Sequence, residues 1–218
     1  MYQIAVTYGL AEKFGDVAEF APHAYFNLPQ RTKNIENIYV QPAGLNEVFD
    51  IPHKLNMTIV GFFQRYEYFN HIKEKLIKDV FKVPYDYRPD SIAVHVRRGD
   101  FIQDPINFPM QSVEYYKKAF DIIGIDNKKL YFCSDDPDWC EDNFGNIPNV
   151  YVRRKKDPLE DIYFMANCDA VIMANSTFSF WGSYLNMRER PIVFPLHWFS
   201  KKSKRTGYEI CPSEWTGI

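Results

Sequence analysis

The sequence predicts an α/β protein built on a parallel sheet, and three observations carry that prediction. From about residue 89 onward, short β-branched runs alternate with helical stretches at the spacing of strand–helix units. The runs are apolar, as strands buried on both faces must be. Polar residues gather just after individual runs, where open α/β sheets hold their ligands. At 218 residues the chain has room for one large domain or two small ones, with ample core. We divide it into residues 1–88, less regular, and residues 89–218, the nucleotide-binding type of half.

Composition narrows the function classes. A formal net charge of -2 supplies no overall basic field, so nucleic acid is not an expected partner and a bound anion must be met by a local cluster. Cys133, Cys140, Cys168 and Cys211 show neither a C-x-x-C pair nor zinc-ligand spacing. Cys133 and Cys168, in apolar surroundings, read as reduced core residues. No apolar run approaches the roughly 20 residues of a membrane span, and no basic start leads into a signal core. The expectation is a soluble chain in a reducing compartment, the cytoplasm, with an upstream membrane anchor left open.

In chain order, Ile4, Ala5, Tyr8, Leu10, Ala11 and Phe14 fall at loosely helical spacing, and Gly15 is a helix stop. Val17 to Phe20 reads as a short strand. Residues 22–54, rich in Pro, Asn and charge, read as loop around a brief strand at 37–40. Met57 to Phe62 is a strand. A helix over 66–81 follows, with Phe69, Ile72, Leu76 and Val80 on one face. Residues 85–89 read as a linker.

Beyond it, strands are predicted at 92–96, 130–133, 149–152, 170–173 and, last, 192–194, with helices over 112–122, after Pro137, to Asn167, and over 176–186. Asp157, Pro158 and Glu160 spell an N-cap, an N1 proline and a capping-box acid.

Three strand ends carry chemistry. The first is His95-Val96-Arg97-Arg98-Gly99-Asp100. Alternation along a strand puts His95 and Arg97 on one face and points Arg98 elsewhere. Two arginines at a buried strand's end are costly unless an anion or an ion-pair cluster meets them. The second is Ser134-Asp135-Asp136-Pro137-Asp138. Asp136 is placed as an N-cap and Asp138 in the first turn, which explains both acids of this D-x-D without a metal. Asp135 is left with no local task, so it is a candidate acceptor for a base amide or ribose hydroxyl. The third is Asn175-Ser176-Thr177, where a strand runs into a helix start whose free N–H groups suit an anion. A plain N-cap is the competing reading of that turn.

At these residues the chain resembles the alpha-1,2-fucosyltransferase family, related to the alpha-1,6- and protein O-fucosyltransferases. The matching stretches are Gly61-Phe62-Phe63-Gln64 with Tyr68-Phe69, His95 to Asp100, Ser134-Asp135-Asp136, Asn175 to Gly182, and Ile192 to Pro195 before Trp198-Phe199. The resemblance implies a B-type glycosyltransferase of two Rossmann-like domains, the first on the acceptor side. It implies transfer of L-fucose from GDP-L-fucose to the 2-hydroxyl of a galactoside in a glycan, with inversion and without metal or other cofactor. By that likeness Arg97 and Arg98 hold the diphosphate, His95 and Asp135 the guanosine, and Ser176 and Thr177, beside Asn175, the distal phosphate. Family members open with a strand and a Gly-Gly-Leu-Gly-Asn-Gln loop. This sequence starts at Met1-Tyr2-Gln3, as if inside that motif, so the first domain is expected to be incomplete.

The implied reaction needs charge stabilisation as the diphosphate leaves, a task for Arg98 and Arg97. It also needs a base, for which Asp100 is the nearest carboxylate, although orienting an arginine is its simpler role. His23, His53, His71 and His197 read as structural. An alpha-1,6- or protein O-fucosyltransferase and an inactive GDP-sugar or glycan-binding module remain as alternatives. An NAD oxidoreductase is disfavoured because no G-x-G-x-x-G follows any strand.

Overall fold

The computed structural model describes residues 1–42, 47–154, 157–200, 202–203 and 205–218. It separates into two compact units, Met1–Lys82 and Val83–Ile218.

In unit 1, helix α1 (Tyr2–Phe14) ends on Gly15, whose left-handed φ of 71° lets its N–H and that of Asp16 reach back to the last turn. Tyr2, Ile4, Ala5, Val6 and Gly9 are its buried residues. Gly9 allows a close approach, because a Cβ there would collide with the Tyr68 carbonyl. Strands β1 (Asn37–Val40) and β2 (Met57–Val60) pair in parallel as a two-stranded sheet. The predicted strand at 17–20 is not formed. Phe20 makes one isolated bridge to Gln30, and Val17 is exposed.

The helix predicted over 66–81 is present but broken. It runs as 3-10 turns at Tyr66–Tyr68 and Asn70–Ile72, a single α-turn at Lys73–Lys75, and a π-type turn at Leu76–Val80. Phe69, Ile72, Leu76 and Val80 are all buried, so the apolar face survives the change of winding. A cavity of about 610 Å³, lined by unit-1 residues, lies along α1, the 16–35 segment and β2.

Unit 2 is a six-stranded, all-parallel sheet. Its strands are β3 (Arg88–Val96), β4 (Lys129–Ser134), β5 (Val150–Val152), β6 (Cys168–Ile172), β7 (Ile192–Phe194) and β8 (Thr216–Gly217), in the order β5-β4-β3-β6-β7-β8. The chain leaves the central strand β3 for one side of the sheet and returns at β6 on the other. That reversal is the switch point at which open α/β sheets bind ligands.

Helices α2 (Val113–Ile123), α3 (Pro137–Phe144), α4 (Pro158–Asn167) and α5 (Thr177–Tyr184) connect the strands. Ile92, Val94, Val96, Leu130, Phe132 and Ile172 pack with Tyr116, Ala119, Phe120, Cys140 and Phe144 from α2 and α3. On the opposite face, His95 stacks on Phe178 of α5 and Tyr131 meets Phe164 of α4. Both faces are therefore covered, as the apolar strand sequences require.

Two expectations fail at the margins of this sheet. Residues 85–89 are no linker: Asn167 accepts from the Asp86 N–H and donates to the Pro84 carbonyl, and β3 begins at Arg88. A register shift between Arg88 and Ile92, with Asp90 at φ 55°, absorbs the turn-forming Pro89-Asp90 inside the strand. Nor is 192–194 the last strand, since Thr216–Gly217 adds an edge too short to leave a pattern.

Cys133, Cys140, Cys168 and Cys211 are free and buried, all in unit 2. Burial raises every one of these thiols, that of Cys140 to about 11. Among the described residues, no helix is long and apolar enough to cross a membrane.

Candidate functional site

The three polar strand ends converge on the carboxyl edge of β3, β4 and β6, neighbours in the sheet. Two adjacent tyrosines of α2 fix this edge. Tyr116 donates to the His95 carbonyl at 3.2 Å and Tyr115 to the Met173 carbonyl at 2.7 Å, so one helical turn holds the ends of the two strands that flank the switch point.

His95 is 4% exposed, and its Nδ1 has no hydrogen-bond partner among the described residues. Burial pushes its pKa down to about 3, with the Arg97 guanidinium adding to the effect. The ring is therefore neutral at pH 7 and carries one uncommitted buried polar atom. Such an atom is costly and points to an absent partner.

The two arginines part company. Arg97 lies on the His95 side, as alternation predicts. Its Nη1 bonds Asp135 Oδ2 at 3.0 Å, its Nη2 bonds Asp100 Oδ1 at 2.8 Å, and its guanidinium lies 5.7 Å from the Phe101 ring centre. Arg98 turns toward α3. Its Nε bonds Asp136 Oδ2 at 2.9 Å, its guanidinium lies 4.4 Å from the Trp139 ring centre, and Nη1 is 3.9 Å from Met110 Sδ.

Asp135 has the local tasks that its sequence position did not reveal. It accepts from the Arg98 N–H at 2.9 Å while pairing with Arg97. Gly99 makes room for it, because a Cβ there would sit 2.6 Å from Asp135 Oδ2.

Asp136 caps α3 as predicted, accepting from the Trp139 N–H, and its link to Arg98 holds its carboxyl below the usual range. Asp138 pairs with Arg154. Both acids of the D-x-D thus have protein partners. Among the described residues, no group of three His, Cys, Asp or Glu side chains is arranged to hold a metal ion.

At the β6 end, Ser176 is the N-cap of α5 and accepts from the Phe178 N–H. Thr177 is the first helical residue and partly exposed. Asn175 is instead a brace, 5% exposed and satisfied at both ends of its amide. Its Oδ1 accepts from Gln111 Nε2 at 3.0 Å and its Nδ2 donates to the Trp198 carbonyl at 3.0 Å. Gln111 also donates to the His197 carbonyl, so three loops are tied together at the strand ends.

One feature had no signal in the sequence. Arg153, after β5, pairs with Asp161 of α4 at 2.8 Å, with both side chains mostly buried and the guanidinium 3.8 Å from the Phe164 ring centre.

A family model, Glycosyl transferase family 11, matches residues 32–218. The chain belongs to glycosyl transferase family 11. It is 34% identical over 126 residues to the O-antigen biosynthesis glycosyltransferase WbnK of Escherichia coli, a match covering 53% of this chain and 41% of that one. It is 27% identical over 192 residues to an alpha-1,2-colitosyltransferase of Escherichia coli, covering 76% of this chain and 63% of the relative. The chain thus spans about half the length of the curated relatives it matches. POFUT1 in complex with GDP-fucose is a structural neighbour at 13% identity and TM-score 0.40, covering 64% of this chain and 54% of that one.

Proposed function

We propose that this family 11 chain carries the donor side of an inverting, metal-independent galactoside alpha-1,2-fucosyltransferase, with GDP-L-fucose as donor and a glycan as acceptor. Unit 2 is the donor-binding half of a B-type enzyme, and unit 1 belongs to the acceptor side. The observation that carries the reading is the concentration of anion-seeking groups at one switch point. A buried His95 with an orphaned Nδ1, the Arg97 guanidinium and the N-terminal turn of α5 lie at the ends of two adjacent strands.

In the reaction, the bond from the fucose anomeric carbon to the diphosphate oxygen breaks, and GDP leaves with the electron pair. The galactose 2-oxygen attacks that carbon from the opposite face and gives up its proton to a base. Negative charge grows on the departing phosphate, where Arg97 and the Thr177 N–H at the start of α5 stabilise it, the Ser176 N–H being held by the Ala174 carbonyl. Asp100 is mostly exposed, and a solvent-facing ion pair is worth at most about 1 kcal/mol. A diphosphate can therefore displace Asp100 from Arg97 cheaply, while the less exposed Asp135 keeps the arginine aimed. Asp100 thus orients Arg97 before the donor arrives, and Asn175 shapes the turn without touching the donor.

The relative that overlaps this chain most fully of the two named is an alpha-1,2-colitosyltransferase, which favours colitose as a second donor reading. The test is incubation with GDP-fucose or GDP-colitose and a panel of β-galactosides, with and without chelator, beside Arg97→Ala. The expected product is a 2-linked galactoside, formed equally with chelator, and lost by at least about 100-fold in the variant. No uptake of GDP by calorimetry at millimolar concentration would sink the donor-site reading.

A further inference from the structure

Arg98 carries the second charge of the pair, and its Nε and the face of its guanidinium are held by α3. Asp136 uses one carboxylate oxygen to cap α3 and the other to receive Arg98 Nε. Trp139, one turn into that helix, lies beneath the guanidinium at 4.4 Å from its ring centre. The arginine plane is thus fixed by an edge bond and a face contact from the same helical turn. The Arg98 backbone N–H then meets Asp135 Oδ1, while Asp135 Oδ2 meets Arg97 Nη1. A continuous chain of contacts runs from the Trp139 ring through Arg98 and Asp135 to Arg97.

We propose that Trp139 is a positioning residue of the donor site: its indole face seats Arg98, and the seated Arg98 fixes the turn that aims Arg97. The proposal rests on the donor-site reading above, but its first link is a property of the ligand-free protein. Trp139 also packs partly against the core, so the shape of its replacement matters. Phenylalanine keeps an aromatic face for the guanidinium, and leucine keeps only apolar bulk. Asp136→Asn gives a second route. An asparagine still caps a helix through its carbonyl oxygen, but it then turns an amide NH2, a donor, toward Arg98 Nε, which needs an acceptor.

The experiment compares the wild-type chain with Trp139→Phe, Trp139→Leu and Asp136→Asn by two readouts. The first is NMR of the arginine Nε–H protons without ligand. In the wild type, the Arg98 proton should exchange slowly and be shifted upfield by the indole ring current. It should stay protected in Trp139→Phe and be lost in Trp139→Leu and Asp136→Asn, with the Arg97 signals shifting in step. The second is GDP affinity by calorimetry at several salt concentrations. Trp139→Leu and Asp136→Asn should each bind about tenfold more weakly with the salt dependence unchanged, because no charge that touches the ligand has been removed. Trp139→Phe should remain within about threefold of wild type.

An unperturbed Arg97 signal in Trp139→Leu and Asp136→Asn, or wild-type affinity for GDP in both, would overturn the proposal. If the leucine variant does not fold, Asp136→Asn decides by the same criteria. A wild-type chain that takes up no GDP refutes the donor-site reading, and the arginine signals still decide whether Trp139 positions Arg97.

Discussion

Acidification should weaken unit 2 through His95, and the size of the effect follows from its burial. In the unfolded chain the imidazole has an ordinary pKa near 6.5, whereas in the fold it is pushed down to about 3. Below about 6.5 the unfolded state therefore binds a proton that the folded state refuses, so stability falls as pH drops. The loss grows until about pH 3, where the folded ring also titrates. At pH 5 the difference is one and a half pKa units on the unfolded side, or about 2 kcal/mol.

All four tryptophans (Trp139, Trp181, Trp198 and Trp215) lie in unit 2, so tryptophan emission, excited selectively over tyrosine, follows this unit in urea titrations. The assay compares pH 7.5 with pH 5.0 for the wild type and for His95→Phe, which keeps a ring against Phe178. The wild type should lose about 2 kcal/mol more than the variant over this interval, the remaining titratable groups being common to both. Equal losses in the two proteins would refute the reasoning.

Two further predictions concern the same strand ends. Gly99→Ala brings a methyl group to 2.6 Å from Asp135 Oδ2, so Asp135 must leave Arg97. GDP affinity should fall about tenfold while thermal unfolding moves by only a few degrees, and unchanged affinity would show that Asp135 does not aim Arg97. Ser176→Ala removes the α5 cap, which should cost about 1 kcal/mol in urea unfolding and weaken GDP binding several-fold. A stability loss with no change in GDP affinity would confine Ser176 to its capping role.

Much of unit 2 was legible because its signals are local. Asp136, Asp157 and Ser176 announce helix starts within two or three residues of the N–H groups they cap, and each does so in the structure. The β-branched runs are buried on both faces and so need no partner to be recognised as strands. Unit 1 was less legible. Gly15 stops α1 as its sequence indicates, but the 66–80 stretch passes through three kinds of winding to keep Phe69, Ile72, Leu76 and Val80 inward, and periodicity alone cannot show that.

At the site, the residue types and the strand ends could be read, while the pairings could not. Asp135 lies 37 residues from Arg98, so its link to the Arg98 N–H depends on β4 lying beside β3 rather than on any spacing. Asn175 looked like a ligand residue because it opens a polar turn, yet Gln111 and the Trp198 carbonyl occupy it. The alternation rule separated Arg97 from Arg98 correctly, but only the indole beside Arg98 showed where the second arginine goes.

The four sequestered sulfurs have a practical consequence. Because every thiol is shielded within one unit and each is made less acidic there, a maleimide or disulfide reagent finds no target until that unit opens. The rate of label uptake in native buffer is then a clock for spontaneous breathing of the sheet. Nucleotide that stabilises the closed form would slow that clock, giving a screen for donors that requires no acceptor sugar and no turnover.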